Sequence, residues 1–145
     1  MRILLLNGPN LNLLGEREPD IYGRCSLADV EAMVLEHATQ AGVELDCFQS
    51  NHEGALIDRL QEARNVCAGV IYNPGAHAHY SYALRDAVAS IHIPVVEVHI
   101  SNVHAREDFR QQLVIAPVCA GLICGHGVQG YLEAFDLLMD IIGRQ

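Results

Sequence analysis

Met1-Arg2-Ile3-Leu4-Leu5-Leu6-Asn7-Gly8-Pro9-Asn10 opens the chain, and the fold turns on how this stretch is read. Ile3 to Leu6 is an unbroken aliphatic run with no polar face, as expected of a strand buried on both sides in a parallel sheet. Asn7-Gly8-Pro9 then stops it. A basic residue before an apolar run also suits a secretory leader, but this run is short and no small-residue cleavage site follows it. The expectation is a buried first strand, Arg2–Asn7.

Downstream, the same unit recurs. Ser26-Leu27-Ala28-Asp29 opens a helix with a capping-box-like start, Asp29 standing where Glu or Gln is usual. Leu27, Val30, Met33, Val34 and Ala38 follow at helical spacing, and Gly42 closes the element. Val43–Gln49 alternates as a strand, and Leu56, Ile57, Leu60 and Ala63 mark a second helix. Ala68–Tyr72 is a short apolar strand ending at Asn73-Pro74-Gly75. A third helix is expected over Tyr80–Ala89, a valine-rich strand over Pro94–His99, and a short helix near Arg106–Leu113. Ala120–Cys124 is a last strand. Tyr131, Leu132, Phe135, Leu138, Met139 and Ile142 line the last helix.

Strict alternation of strand and helix, without repeat or linker, predicts one α/β domain over residues 1–145. Its form is a flavodoxin-like three-layer sandwich of about five parallel strands in the order 2-1-3-4-5. In such sheets ligands bind beyond the C-terminal strand ends. Those ends are Asn7–Asn10, Gln49–Glu53, Asn73–His79, Glu97–Asn102 and Gly125–Gly130, all polar or glycine-rich.

Composition narrows the partners. Eighteen acids against nine Lys and Arg give a net charge of −9, which argues against nucleic acid. No apolar run approaches the ~20 residues of a membrane helix. Five cysteines at irregular spacing, with no Cys-x-x-Cys, suit reduced thiols in a cytoplasmic protein. An anionic substrate would meet an adverse global field, so local cations must attract it. Arg17, Arg106 and Arg110 are the candidates.

The loop after the first strand carries the most chemistry. It runs Asn7-Gly8-Pro9-Asn10-Leu11-Asn12-Leu13-Leu14-Gly15-Glu16-Arg17-Glu18-Pro19-Asp20-Ile21-Tyr22-Gly23, far longer than a strand-to-helix connection requires. Loops of that length are functional lids or disordered, and the leucines and Ile21 would be wasted on disorder. Tyr22 lies between Arg17 and Arg24, and a close cation favours phenolate, which can act as a base. A guanidinium ~4 Å away supplies on the order of 4 kcal/mol at an effective dielectric of ~20.

Glu97 and His99 share one face of their strand, so Glu97 is placed to orient His99 and favour its protonated form. Ile100-Ser101-Asn102 turns away with backbone N–H groups suited to a carboxylate. Gly125-His126-Gly127-Val128-Gln129-Gly130 resembles a dinucleotide fingerprint, but no second strand follows to complete that unit, which favours tight turns and close helix packing instead. His77, His79, His99 and His104 lack metal-ligand spacing, which disfavours a metal site; a metal-dependent hydrolase using these histidines is the competing reading. A response-regulator site needs acids at the first strand end, where Asn7 stands. A flavin site wants Ser and Thr in the loop held here by Gly8-Pro9-Asn10.

Taken together, these blocks resemble the type II 3-dehydroquinate dehydratases. The matching motifs are Asn7-Gly-Pro-Asn10-Leu, Gly15-x-Arg17-x-Pro-x-x-Tyr22-Gly, Phe48-Gln-Ser-Asn-x-Glu53-Gly, Asn73-Pro-Gly-Ala-x-x-His79-x-Ser81-x-Ala-x-x-Asp86-Ala, Glu97-Val-His99-Ile-Ser-Asn102, Arg106-Glu-x-Phe-Arg110 and Gly125-x-Gly-x-x-Gly-Tyr131. They follow family order and spacing over nearly the whole chain.

The resemblance implies a cofactor-free anti elimination of water from 3-dehydroquinate, through an enolate, to 3-dehydroshikimate in the shikimate or quinate pathway. It implies a homo-dodecamer built from trimers. By resemblance Tyr22 is the base, Arg17 activates it, Asn10 helps hold the enolate, and His99 with Glu97 protonates the leaving hydroxyl. Asn73, Ile100 and Ser101 would hold the substrate carboxylate, and His79 and Arg110 the ring hydroxyls. Arg106 would serve lid closure, and Asp86 would reach in from a neighbouring subunit. His77, Ala78 and Ser90 depart from the usual family residues, which bears on affinity and lid packing.

Overall fold

Strands β1 (Arg2–Asn7), β2 (Glu44–Gln49), β3 (Gly69–Asn73), β4 (Val95–His99) and β5 (Gly121–Cys124) form one sheet in the order β2-β1-β3-β4-β5. Every pairing is parallel. The computed structural model describes all 145 residues. Its helices are a single turn α1 (Pro19–Tyr22), then α2 (Leu27–Gln40), α3 (Glu53–Val66), α4 (Tyr82–Ser90) and α5 (Gln129–Gly143).

The sheet explains the apolar opening run. Ile3 and Leu5 join the cluster packed under α2 and α5, with Val30, Val34, Phe135 and Leu138. Leu4 and Leu6 join the opposite cluster under α3 and α4, with Leu56, Leu60, Leu84 and Val88. A strand covered on both faces has no use for a polar side chain until its end. There Asn7 begins the functional surface.

The capping box forms as expected: Ser26 Oγ accepts from the Asp29 N–H, and an Asp29 carboxylate oxygen accepts from the Ser26 N–H. Several expected element ends shift by a residue or two, and two departures have a visible cause. The third strand begins at Gly69 rather than Ala68, at the point where the Leu138 side chain of α5 presses so closely that a Cβ on Gly69 would meet it at 2.7 Å. The short helix expected near Arg106–Leu113 is a 3-10 turn over Asp108–Gln111. The chain leaves it extended at Gln112, and the Val114 N–H donates to the Ala78 carbonyl at 2.8 Å. That bond ties the segment to the loop after β3 and ends the helical path. No helix is long and apolar enough to cross a membrane.

Candidate active site

The loops after β1 and β3 are in backbone contact. A Cβ on Gly8 would lie 2.5 Å from the Pro74 carbonyl oxygen, and one on Gly75 would lie 3.0 Å from that of Pro9. Glycine at both positions lets the two strand ends converge, and Gly75 also needs the positive φ of 58° it adopts. Asn10 takes the left-handed conformation, φ 69°. Its N–H donates to Asn51 Oδ1 at 2.9 Å, while Gln49 Nε2 donates to the Gly8 carbonyl at 3.1 Å. The loop after β2 therefore braces the root of the long loop after β1.

That long loop is folded. Leu11 and Leu14 are buried and anchor it, while Leu13 and Ile21 face outward. It lays Arg17 and Tyr22 over a cleft at the C-terminal strand ends. Asn10, Asn73, His79, His99, Ser101, Arg106 and Arg110 complete its polar lining, with Ile100 beside them. Three arginines thus gather in a chain of net charge −9. The local charge needed to draw an anion is present, although the whole molecule repels one.

Tyr22 meets two guanidiniums. Arg106 Nη1 donates to Tyr22 Oη at 2.6 Å. The Arg106 and Arg17 guanidinium carbons lie 5.4 and 5.3 Å from the ring centroid. Arg17 therefore sits against the ring, while Arg106 touches the oxygen. Arg24, the other neighbour in sequence, is exposed and outside the cleft lining. Glu18 lies between the two arginines, 3.6 Å from Arg17 Nη2 and 3.8 Å from Arg106 Nη2. Arg106 Nη1 also lies 3.5 Å from Ser101 Oγ, so it spans lid and floor.

At the end of β4, His99 Nε2 lies 2.7 Å from Glu97 Oε2. Glu97 is fully buried and His99 nearly so. A carboxylate only accepts, so Nε2 carries the proton and Nδ1 is left for exchange. His79 stands beside it, the two rings 6.4 Å apart and 25° from parallel. His79 Nδ1 donates to the Gln112 carbonyl at 2.9 Å. Burial lowers the His79 pKa most, the Gln112 carbonyl opposes that shift, and His99 and Arg110 lower it further. Neutral His79 then presents Nε2 as an acceptor for a hydroxyl.

Asn73 ends β3 with Nδ2 2.9 Å from Tyr131 Oη. The N–H groups of Ile100 and Ser101 donate to no backbone carbonyl. They therefore remain open to an anion. Arg106 and Arg110 reach the cleft from a 3-10 turn and its approach rather than from one helix face. Asp86 does not reach it: its side chain is on the exposed side of α4. The glycine-rich segment after β5 makes tight turns, with φ 81° at Gly125 and 61° at Gly127, as expected.

Sequence inspection missed the Arg106–Tyr22 bond, which joins residues 84 apart and has no local signal. It also missed Glu18 as the acid between the arginines and Tyr131 as the partner of Asn73. For Tyr131 a signal existed, since it closes the glycine-rich motif.

The family model described as dehydroquinase class II matches residues 1–139. A 3-dehydroquinate dehydratase of Anoxybacillus flavithermus is 60% identical over 142 residues, covering 98% of this chain and 96% of its own. One of Bacillus cereus is 59% identical over 139 residues, covering 96% and 95%. The crystal structure of a type II dehydroquinase from Butyrivibrio crossotus superposes with a TM-score of 0.94 at 52% identity, over 96% of this chain and 97% of that one.

Proposed function

The chain belongs to the class II dehydroquinase family, and on that premise we propose that it removes water from 3-dehydroquinate to give 3-dehydroshikimate, as a hydro-lyase of the shikimate pathway. The observation that carries this reading is the pairing, in one cleft, of a phenol hydrogen-bonded to a guanidinium with a histidine backed by a buried carboxylate.

Tyr22 is the base that takes the proton beside the ketone. A phenolate forming at Tyr22 Oη meets the Arg106 N–H at hydrogen-bond distance and a second positive charge, Arg17, against its ring. A charge-assisted bond of this kind is worth about 1.5–3 kcal/mol. Asn10, at the root of the lid, helps hold the enolate oxygen. His99 acts in its imidazolium form: Nε2–H stays on Glu97, which holds the ring and supplies the counter-charge, and the Nδ1 proton goes to the departing hydroxyl, leaving the ring neutral. Because base and acid come from lid and floor respectively, they approach the substrate from different sides, which suits an anti elimination through an enolate.

The substrate carboxylate fits Asn73 and the free N–H groups of Ile100 and Ser101. Neutral His79 and Arg110 fit the ring hydroxyls. Asp86, exposed on α4, serves the cleft of an adjacent copy in a dodecamer built as a tetramer of trimers. Exposed Tyr80 and Tyr82 near it supply apolar surface for such a contact. The catalytic domain spans residues 1–145, the protein works in the cytoplasm, and quinate breakdown would use the same reaction.

The test is direct. Purified protein mixed with 3-dehydroquinate should develop the ultraviolet absorbance of a conjugated enone. Substrate deuterated stereospecifically at C2 should lose label in the anti sense. Protein that leaves 3-dehydroquinate unchanged, or that eliminates in the syn sense, refutes the reading.

A further inference from the structure

The glycine-rich turn after β5 supplies no group to the cleft lining, yet it controls where α5 begins. A Cβ on Gly130 would lie 3.4 Å from both Ile123 Cγ2 and Val98 Cγ2. The bare backbone lets the first turn of α5 lie directly on β4 and β5. Tyr131 is carried with it and is fully buried, its hydroxyl at the paired ends of β1 and β3. There Tyr131 Oη lies 2.9 Å from Asn73 Nδ2 and 2.7 Å from Asn7 Oδ1. Asn7 and Asn73 are nearly inaccessible too.

The orientation of this chain of bonds is forced. The Gly75 N–H lies 3.1 Å from the other end of the Asn73 amide. A backbone N–H only donates, so that end is the oxygen and Nδ2 faces Tyr131. The Tyr131 hydroxyl accepts from Asn73 and spends its single proton on Asn7 Oδ1. Asn73 Nδ2 has two hydrogens. One goes to Tyr131, and the other is left for the cleft that Asn73 lines.

We propose that Tyr131 is a positioning residue: its hydroxyl holds the Asn73 carboxamide so that the second N–H of Nδ2 points at the substrate carboxylate. The proposal rests on the functional reading above, which places that carboxylate at Asn73. Burial raises the Tyr131 pKa strongly, against a smaller lowering by the Asn73 bond. The phenol therefore stays neutral and acts by direction, not by proton transfer.

Tyr131→Phe keeps the ring and removes the hydroxyl. The expected result is a KM for 3-dehydroquinate raised roughly ten-fold, with kcat changed less than about three-fold. A competitive analogue that keeps the carboxylate should weaken equally, and one bearing hydroxymethyl in its place should not. In an Asn73→Ala background Tyr131→Phe should add nothing. An unchanged KM, equal weakening of both analogues, or additivity with Asn73→Ala overturns the proposal. If Tyr131→Phe does not fold, Asn7→Ala, which removes only the final acceptor, should give the same split between the analogues, and its absence is equally decisive. Proton exchange of the Asn73 side-chain amide in wild-type protein should be slow, and exchange as fast as for exposed Asn51 overturns the proposal without any turnover. Wild-type protein inert toward 3-dehydroquinate overturns the functional reading and the carboxylate assignment with it. A wild type that turns over while Tyr131→Phe keeps its KM overturns the positioning role alone.

Discussion

Two arginines near one phenol do different work. Arg106 donates to the Tyr22 oxygen at 2.6 Å, whereas Arg17 lies 5.3 Å from the ring centroid. On the proposed mechanism Arg106→Ala should therefore cost about 10–100-fold in kcat, the worth of a charge-assisted bond to Tyr22 Oη. Arg17→Ala should cost less in kcat, and steady-state kinetics of the two variants checks the ranking. On the proposed mechanism Tyr22→Phe should lower kcat by about 100-fold or more, since it removes the proposed base. His77 bears on stability instead. It is buried, its Nδ1 has no partner, and burial lowers its pKa below the ordinary 6.5. The unfolded chain takes up that proton more readily than the folded one, so stability falls as pH drops through 6.5. His77→Leu has nothing to protonate, and urea titrations between pH 7 and 5 should show a flatter decline.

Elements were more legible than the contacts between them. The buried β1, the capped start of α2 and the five strand ends follow from local pattern, because apolar period and cap chemistry act within a few residues. The cleft's polar set was legible too: Asn10, Asn73, His79 and His99 all sit at or just beyond strand ends, where a parallel sheet presents its ligands. Hidden from sequence were bonds that depend on tertiary approach, such as Arg106 to Tyr22 and Tyr131 to Asn73. The 3-10 turn at Asp108–Gln111 was missed because a tie to Ala78, more than 30 residues away, overrides its helical spacing. Two changes probe this scale. Ser26→Ala removes one half of the capping box and should cost ~1 kcal/mol in unfolding free energy. Gly8→Ala should cost more, about 2 kcal/mol or above, because its methyl would meet the Pro74 carbonyl at 2.5 Å and backbone has nowhere to go. Chemical denaturation of each variant measures both.

At the scale of the molecule, the proposed assembly bears on the cleft. Asp86 is outside its own chain's cleft, and in the proposed assembly it serves the cleft of a neighbouring copy. Co-assembly of Tyr22→Phe protomers with Asp86→Ala protomers should then restore a measurable part of the activity that neither has alone, and assays of the mixed oligomer check this. Strand order has a consequence for synthesis. β1 lies inside the sheet, between β2 and β3, and its partners begin only at Glu44 and Gly69. In the nascent chain β1 is made before both of its partners, so one edge stays unpaired until β2 has emerged and the other until β3 has. During that interval the early strand is exposed to aggregation and to chaperone capture.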